Sequence, residues 1–162
     1  MKVNRSELQT NDDIWNAVLS AAYGNYAFPT ENEKKDDIFI LFSYFCEMES
    51  GGHEALLNWL SETMQGLGIQ KYVSRLTKML ELIGAGDYAK IEKVYLEEML
   101  KRYLTIENSG FEDPNFEKLE AEYLFVIERA DVEYRNLDEQ INERIYNYAV
   151  IIHEEVLEIV NY

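Results

Sequence analysis

The stretch from Cys46 to Leu60, CEMESGGHEALLNWL, holds the residues whose types and spacing come closest to carrying chemistry. Two adjacent glycines, Gly51 and Gly52, are followed at once by His53, one of the two histidines of the chain. Such a segment fits three roles: a loop that cradles phosphate, a metal or catalytic corner, or a turn between two helices. The choice among them separates an enzyme from a binding protein.

The surrounding residues argue against a phosphate-binding loop. Neither a GxxxxGK[ST] pattern nor a GxGxxG pattern is present, and no strand is predicted before the two glycines. A phosphate bound there would also lie beside Glu47, Glu49 and Glu54, whose charges repel it. We therefore do not expect a nucleotide-binding site.

A metal or catalytic site would have to use the two histidines, His53 and His153. His153 lacks the second histidine of an HExxH motif, and neither histidine has the glutamate three residues before it that a di-metal helix pair uses. Ser50 is not part of a nucleophile motif. A metal-dependent enzyme in which His53 and His153 meet near Glu49 or Glu54 stays an alternative. The favoured prediction is a protein with no catalytic residue, no metal site and no cofactor.

A turn is the favoured interpretation of the two glycines. Glycine adopts positive φ angles without a steric penalty, so Gly51 and Gly52 can redirect the chain sharply and let another backbone approach closely. They are predicted to form a corner between two helices, with His53 in the first turn of the second helix. Gly84 is predicted to end a later helix in the left-handed conformation.

The apolar residues recur at steps of three and four along most of the chain, which is typical of amphipathic helices. The two prolines, Pro29 and Pro114, fall where helices should begin or stop. No segment has the pattern of a strand pair. The sequence therefore predicts an all-α fold, a single-domain bundle of six or seven helices over residues 1–162, with a sub-structure boundary near residues 107–114.

The last predicted helix bears on self-association. It runs from about Leu137 to Val160 and is long, and the chain ends in VLEIVNY, which has several apolar side chains. This apolar stripe either completes the core or forms a seam between two copies. It slightly favours a homodimer.

The charge of the chain is its most unusual property. It has 31 acidic residues against 15 lysines and arginines, a net charge of −16. Residues 107–162 contain 15 acidic and 4 basic residues, a net charge of −11, whereas residues 1–106 have a net charge of −5. A field of this sign repels nucleic acids and anionic membranes and attracts basic proteins.

Membrane and export signals are not found in the sequence. The longest apolar run, IFILF, is much shorter than the ~20 residues that a membrane span needs. The first residues, MKVNRSELQTNDD, lack the apolar stretch of a signal peptide. We expect a cytoplasmic protein that binds neither membranes nor nucleic acid directly.

The carboxylates on the outer faces of the last two predicted helices are the candidates for binding a basic partner. The candidates on the helix after Pro114 are Glu117, Glu120, Glu128 and Asp131. The candidates on the last helix are Glu139, Glu143, Glu154, Glu155 and Glu158. Carboxylates one helical turn apart advance by ~6 Å along the axis, against ~3.4 Å between phosphates of one DNA strand. They therefore resemble a phosphate backbone coarsely, and the alternative is that they are ordinary solvated helix faces.

Three motifs resemble a bacterial family of all-helical domains of otherwise unknown function that includes a DNA-mimic protein. They are FSYFCEMESGGHEALL, LELIGAGDYAKI and DPNFEKLEAEYL, and the resemblance covers about residues 38–125. The matching residues are Gly51, Gly52, Ile83, Gly84, Ala85, Phe116, Leu119 and Tyr123. Ser50, His53 and Glu120 stand where the family has Asn, Phe and often Asp. The resemblance implies an all-helical fold and suggests a DNA mimic.

Charge and resemblance together predict a non-enzymatic protein that presents an acidic helical surface to a basic protein. The partner would be a DNA-binding regulator that the protein sequesters by imitating DNA. The alternative is an immunity or antitoxin-like protein that blocks the active site of a toxin. A toxin gene immediately beside the gene of this protein would favour the alternative.

Overall fold

The computed structural model describes residues 1–24, 27–138 and 140–161. These residues form six α-helices and one pair of short strands, which confirms the predicted all-α fold class. The helices are α1 (Asn11–Tyr23), α2 (Glu33–Leu67), α3 (Ile69–Leu82), α4 (Gly86–Ser109), α5 (Phe116–Arg135) and α6 (Ile141–Val156). The strands are β1 (Lys2–Asn4) and β2 (Glu158–Val160), and Arg5–Glu7 form a 3-10 turn after β1. No helix in these ranges combines the length and the apolarity needed to cross a bilayer.

Helix α2 joins two helices that the sequence pattern separates. Its backbone is non-helical at Gly51, with φ −161° and ψ 21°, and at Gly52, with φ 69° and ψ −157°. Two helical segments therefore meet at these residues, which agrees with the predicted corner. With α2 counted as one element, the described residues form six helices.

The strand pair corrects the prediction for the end of the chain. The helix predicted to reach Val160 ends at Val156, because Leu157 has the extended angles φ −103° and ψ 140°. The residues that follow pair in parallel with β1, in the register Val3 to Ile159. Pairing between the two ends of a chain leaves no local periodicity, and three residues are too few to show alternation. The sequence pattern therefore could not reveal it.

The chain divides into two compact units, residues 1–45 with 140–162 and residues 46–139. The core of the first unit lies where α1 packs on α6, and it includes Val18, Ile38, Ala149, Ile152 and Val156. In the second unit α4 packs against both α3 and α5. Its fully buried side chains include Leu56, Leu57, Leu76, Leu80, Leu96 and Met99. Residues 107–114, the predicted sub-structure boundary, lie inside this second unit.

The turn between α3 and α4 yields a test of the backbone geometry. Gly84 has a φ of 83°, and the N–H of Ala85 donates to the carbonyl of Leu80 at 2.7 Å. A side chain is strained at this φ, so we expect Gly84→Ala to lower the free energy of unfolding by ~1 kcal/mol. Urea unfolding monitored by circular dichroism measures this.

The matched control is Gly86→Ala, two residues further on. Gly86 is the first residue of α4, and a methyl group there would meet no atom within 4 Å. Alanine favours helix more than glycine does, so this variant should be neutral or slightly more stable than the wild type. Equal destabilisation by the two substitutions would contradict the assignment of Gly84 as the strained position.

Candidate functional site

The acidic side chains of α5 were the first candidates for a binding surface. Glu117, Glu120 and Glu128 are exposed. They follow one another at helical spacing, with Leu124 between Glu120 and Glu128, so they share one flank of α5. The adjacent face of the helix buries Tyr123, Val126, Ile127, Ala130 and Tyr134. We call Glu117, Glu120 and Glu128 the acidic stripe.

The described candidates near the end of the chain belong to the first unit. Exposed among them are Glu143, Glu154, Glu155 and Glu158, while Glu139 lies outside the residues that the structure describes. Glu154 lies 3.5 Å from the guanidinium of Arg5, and Glu158 lies 3.5 Å from the ammonium of Lys2. These exposed ion pairs are weak, but they offset part of the negative charge of this group.

Asp131 does not lie on the outer face of α5, and the prediction is wrong on this point. Its side chain is only 14% exposed. Its Oδ1 accepts a hydrogen bond from the backbone N–H of His53 at 3.0 Å and lies 2.6 Å from Nδ1 of the same histidine. The periodicity of α5 alone places Asp131 beside the acidic stripe, but it cannot show that the kink of α2 lies against this position.

His53 is fully buried, and both nitrogens of its ring face carboxylates. Nδ1 lies 2.6 Å from Asp131 on α5, and Nε2 lies 2.6 Å from Oε1 of Glu92 on α4. Glu92 also has no solvent exposure. A protonated imidazole donates to both carboxylates at once. We call His53, Glu92 and Asp131 the His53 cluster; it joins α2, α4 and α5 inside the second unit.

Opposing effects set the charge of this cluster. Burial lowers the pKa of His53, but the charge of Glu92 and the hydrogen bonds with Asp131 and Glu92 outweigh it and raise the pKa to about 9. For Asp131, burial raises the pKa, while the hydrogen bonds from the side chain and the backbone of His53 prevail and lower it. At neutral pH His53 is therefore a cation beside an ionised Asp131.

The kink at Gly51 and Gly52 makes this contact possible. A Cβ atom on Gly52 would lie 2.7 Å from Oδ2 and 2.8 Å from Oδ1 of Asp131. The angles φ 69° and ψ −157° fall in a region that is essentially restricted to glycine. Gly52 therefore lets a carboxylate from another helix approach the backbone and accept the N–H of His53. The role of Gly52 is to admit a buried ion pair.

Carboxylates on three helices raise the pKa of one buried hydroxyl, that of Tyr123. Burial raises the pKa of Tyr123, and the charges of Glu54, Asp131 and Glu107 raise it further. Glu54 belongs to α2 and Glu107 to α4, and both residues are exposed. Neither was a candidate for the partner-binding surface, because helical periodicity assigns residues to faces but does not tell which helices are neighbours.

The two histidines have different surroundings. Nδ1 of His153, in the first unit, lies 2.6 Å from the carbonyl oxygen of Val150, three residues earlier on α6. Both ring nitrogens of His53 are engaged by carboxylates in the second unit. Within the described ranges no group of three or more His, Cys, Asp or Glu side chains is arranged to hold a metal ion.

Comparison of the chain with protein-family models, with curated proteins and with solved structures gives no match. The resemblance to a family that includes a DNA-mimic protein stays a prediction from the three motifs.

The close approach of Gly52 to Asp131 can be tested by adding one methyl group. Gly52→Ala places a Cβ below van der Waals distance from a carboxylate and forces an unfavourable φ, so we expect the free energy of unfolding to fall by ~3 kcal/mol. Gly66→Ala is the control in the same helix, since its methyl group would meet no atom within 4 Å. Equal stability of the two variants in urea would contradict the proposed contact.

The charge of His53 predicts how stability depends on pH. The pKa in the folded state, about 9, lies above the ~6.5 of an unfolded chain. The stabilisation is therefore complete below about pH 6.5 and is lost as the pH rises through about 9, a change of ~3 kcal/mol. His53→Gln, which cannot be protonated, should have a much flatter stability profile over this range.

The control for this pH profile is His153→Gln, which should keep the slope of the wild type. Urea unfolding at half-unit steps from pH 6 to 9.5 gives the profiles of all three proteins. Tyrosines and lysines that titrate near the upper end contribute equally to all three, so the difference between the profiles reports on His53. Parallel profiles for the wild type and His53→Gln would show that the histidine is not charged in the folded protein.

Proposed function

We propose that this protein is a non-enzymatic interaction protein that presents an acidic helical surface to a basic protein. The exposed acidic stripe on α5 is the observation that carries the proposal. It lies in the part of the chain, residues 107–162, that has a net charge of −11. A surface of this kind attracts a basic partner from a distance and orients it on approach.

The carboxylates of the stripe differ in whether they already form an ion pair within the protein. Glu128 lies 3.5 Å from the guanidinium of Arg135. Glu117 and Glu120 form no ion pair with any residue in the described part of the chain. A lysine or arginine of a partner can therefore pair with them without first breaking an internal contact, which favours binding.

The dimensions of the stripe support a partner that binds DNA. Glu117 and Glu128 are eleven residues apart, which corresponds to ~16 Å along a helix. One strand of DNA presents about five phosphates over that length. The stripe has three carboxylates there, so it reproduces the sign and the extent of the phosphate backbone at a lower charge density. The partner that we propose is a DNA-binding regulator, which the protein sequesters in place of DNA.

The His53 cluster supports this proposal by fixing the scaffold beneath the stripe. Its contacts connect α5 to α2 and α4 through the protonated His53. The exposed residues Glu54 and Glu107 belong to these two neighbouring helices. Their charges, like that of Asp131, raise the pKa of Tyr123. A rigid acidic surface loses less conformational entropy on binding than a flexible acidic tail does.

Neutralising the acidic stripe tests the proposal. Wild-type protein on a resin is loaded with bacterial lysate at ~50 mM salt, where charge screening is weak, and washed at rising salt. We expect it to retain basic DNA-binding proteins, which elute before ~0.5 M salt. The triple variant Glu117→Gln, Glu120→Gln, Glu128→Gln should retain at most a tenth as much, because the contacting charges are lost.

The control is the triple variant Glu62→Gln, Glu81→Gln, Glu97→Gln, which removes three negative charges elsewhere in the second unit. It should retain the same proteins as the wild type. Each retained protein is then tested for displacement from labelled DNA by the purified chain, measured by fluorescence anisotropy. The proposal fails if no basic protein is retained at ~50 mM salt, or if the two triple variants behave alike.

A further inference from the structure

A groove between α4 and α5 has the opposite electrostatic character to the acidic stripe. Its volume is about 420 Å³, and Phe125 and Val126 contribute to its apolar lining. Three of the 15 basic residues of the chain, Arg102, Lys118 and Arg129, also line it. Only two carboxylates, those of Glu98 and Glu122, lie among the residues that line this groove. The lining therefore has a net charge of +1 on a chain of net charge −16.

The three basic residues are not equally engaged. Arg102 is held by Glu98 at 3.1 Å and by Glu122 at 3.2 Å, so its charge is compensated within the protein. Lys118 has one long contact, 3.9 Å to Glu122, and its side chain is 77% exposed. Such a contact contributes little and is easily exchanged.

Arg129 is the least compensated of the three cations, because it forms no ion pair with any residue in the ranges that the structure covers. Its side chain is hydrogen-bonded to Tyr95, whose hydroxyl donates to Glu133 at 2.9 Å. Its guanidinium carbon lies 5.7 Å from the centre of the Phe125 ring, and Phe125 is itself 63% exposed. A large aromatic ring and a guanidinium therefore stand side by side at the surface. This pair can hold a carboxylate through two parallel hydrogen bonds and an apolar group against the ring.

The spacing of the two available cations limits the size of the ligand. Lys118 and Arg129 are eleven residues apart on α5, or ~16 Å along the helix axis. Phe125 lies between them. An extended chain advances by ~3.3 Å per residue, so about five residues span this distance. A ligand that meets both cations and the ring is therefore longer than a single amino acid or a small organic acid.

We propose that this groove binds a short, extended, acidic peptide segment of a partner protein. One carboxylate of the segment pairs with Arg129, a second pairs with Lys118, and an apolar side chain between them packs on Phe125. The site goes beyond the acidic surface of the proposed function, because it lies on the other flank of α5 and binds the opposite charge. It is formed entirely by residues of the second unit.

The test uses a fluorescein-labelled peptide of seven residues with an aspartate near each end and a phenylalanine in the middle. Binding is followed by fluorescence anisotropy at ~150 mM salt, because the Debye length of ~8 Å then screens the distant acidic residues but not contacts inside the groove. We expect saturable binding to the wild-type protein. The double variant Lys118→Gln, Arg129→Gln should weaken it at least ~10-fold, and Phe125→Ala at least ~5-fold.

Three controls separate this site from general charge effects. The variant Lys71→Gln, Lys78→Gln removes two exposed charges from α3 and should bind the peptide within about twofold of the wild type. The same peptide with asparagine in place of aspartate should bind at least ~10-fold more weakly. Inorganic phosphate at matched ionic strength should not displace the labelled peptide.

Several results would overturn the proposal. One is the absence of binding to the folded wild-type protein at ~1 mM. Another is equal weakening by the α3 variant, which would indicate that only net charge matters. Displacement by phosphate would indicate a general anion site. Circular dichroism and urea unfolding of each variant, which carries only surface substitutions, verify that lost binding does not reflect lost folding.

Discussion

A protonated histidine buried between two carboxylates is the constraint on which the second unit depends. Removing ions from water costs several kcal/mol for each of them, and this is offset only when the geometry is close and the donors are satisfied. Here the two ring nitrogens of His53 lie 2.6 Å from Glu92 and from Asp131. Because loss of either partner would leave a buried charge uncompensated, the cluster tolerates one arrangement of α2, α4 and α5.

This constraint also explains why residue 52 is a glycine and why Asp131 is not part of the acidic stripe. Asp131 reaches His53 only because Gly52 has no side chain in its path. Asp131 follows the acidic stripe at helical spacing, but its side chain faces the kink and pairs with the protonated His53. The stripe is thus composed of the carboxylates of that flank that have no buried partner. One helix supplies both the ion pair that fixes the scaffold and the charges that face the solvent.

The sequence was sufficient for the fold class and for most of the helices, because amphipathic periodicity is a local signal that each helix repeats. The β1–β2 pair was missed since it joins the two ends of the chain. The burial of His53 was missed for a related reason: Glu92 is 39 positions away and Asp131 is 78. A histidine after two glycines looks like an exposed first-turn residue until the helices that cover it are known. The exposure of Glu117, Glu120 and Glu128 was predicted correctly, since it follows from the register of α5 alone.

The two flanks of α5 together say more about a partner than either does alone. The acidic stripe attracts positive charge, while the groove on the other flank presents Lys118 and Arg129, which repel it. A uniformly basic surface laid across α5 would therefore be attracted on one side and repelled on the other, and it could approach from one side only. A partner with a basic region next to an acidic segment would match both flanks at once. Charge arranged in this way selects among partners and fixes their orientation more effectively than it adds affinity. Because the His53 cluster holds α5 against α2 and α4, this arrangement of charge is set before any partner arrives.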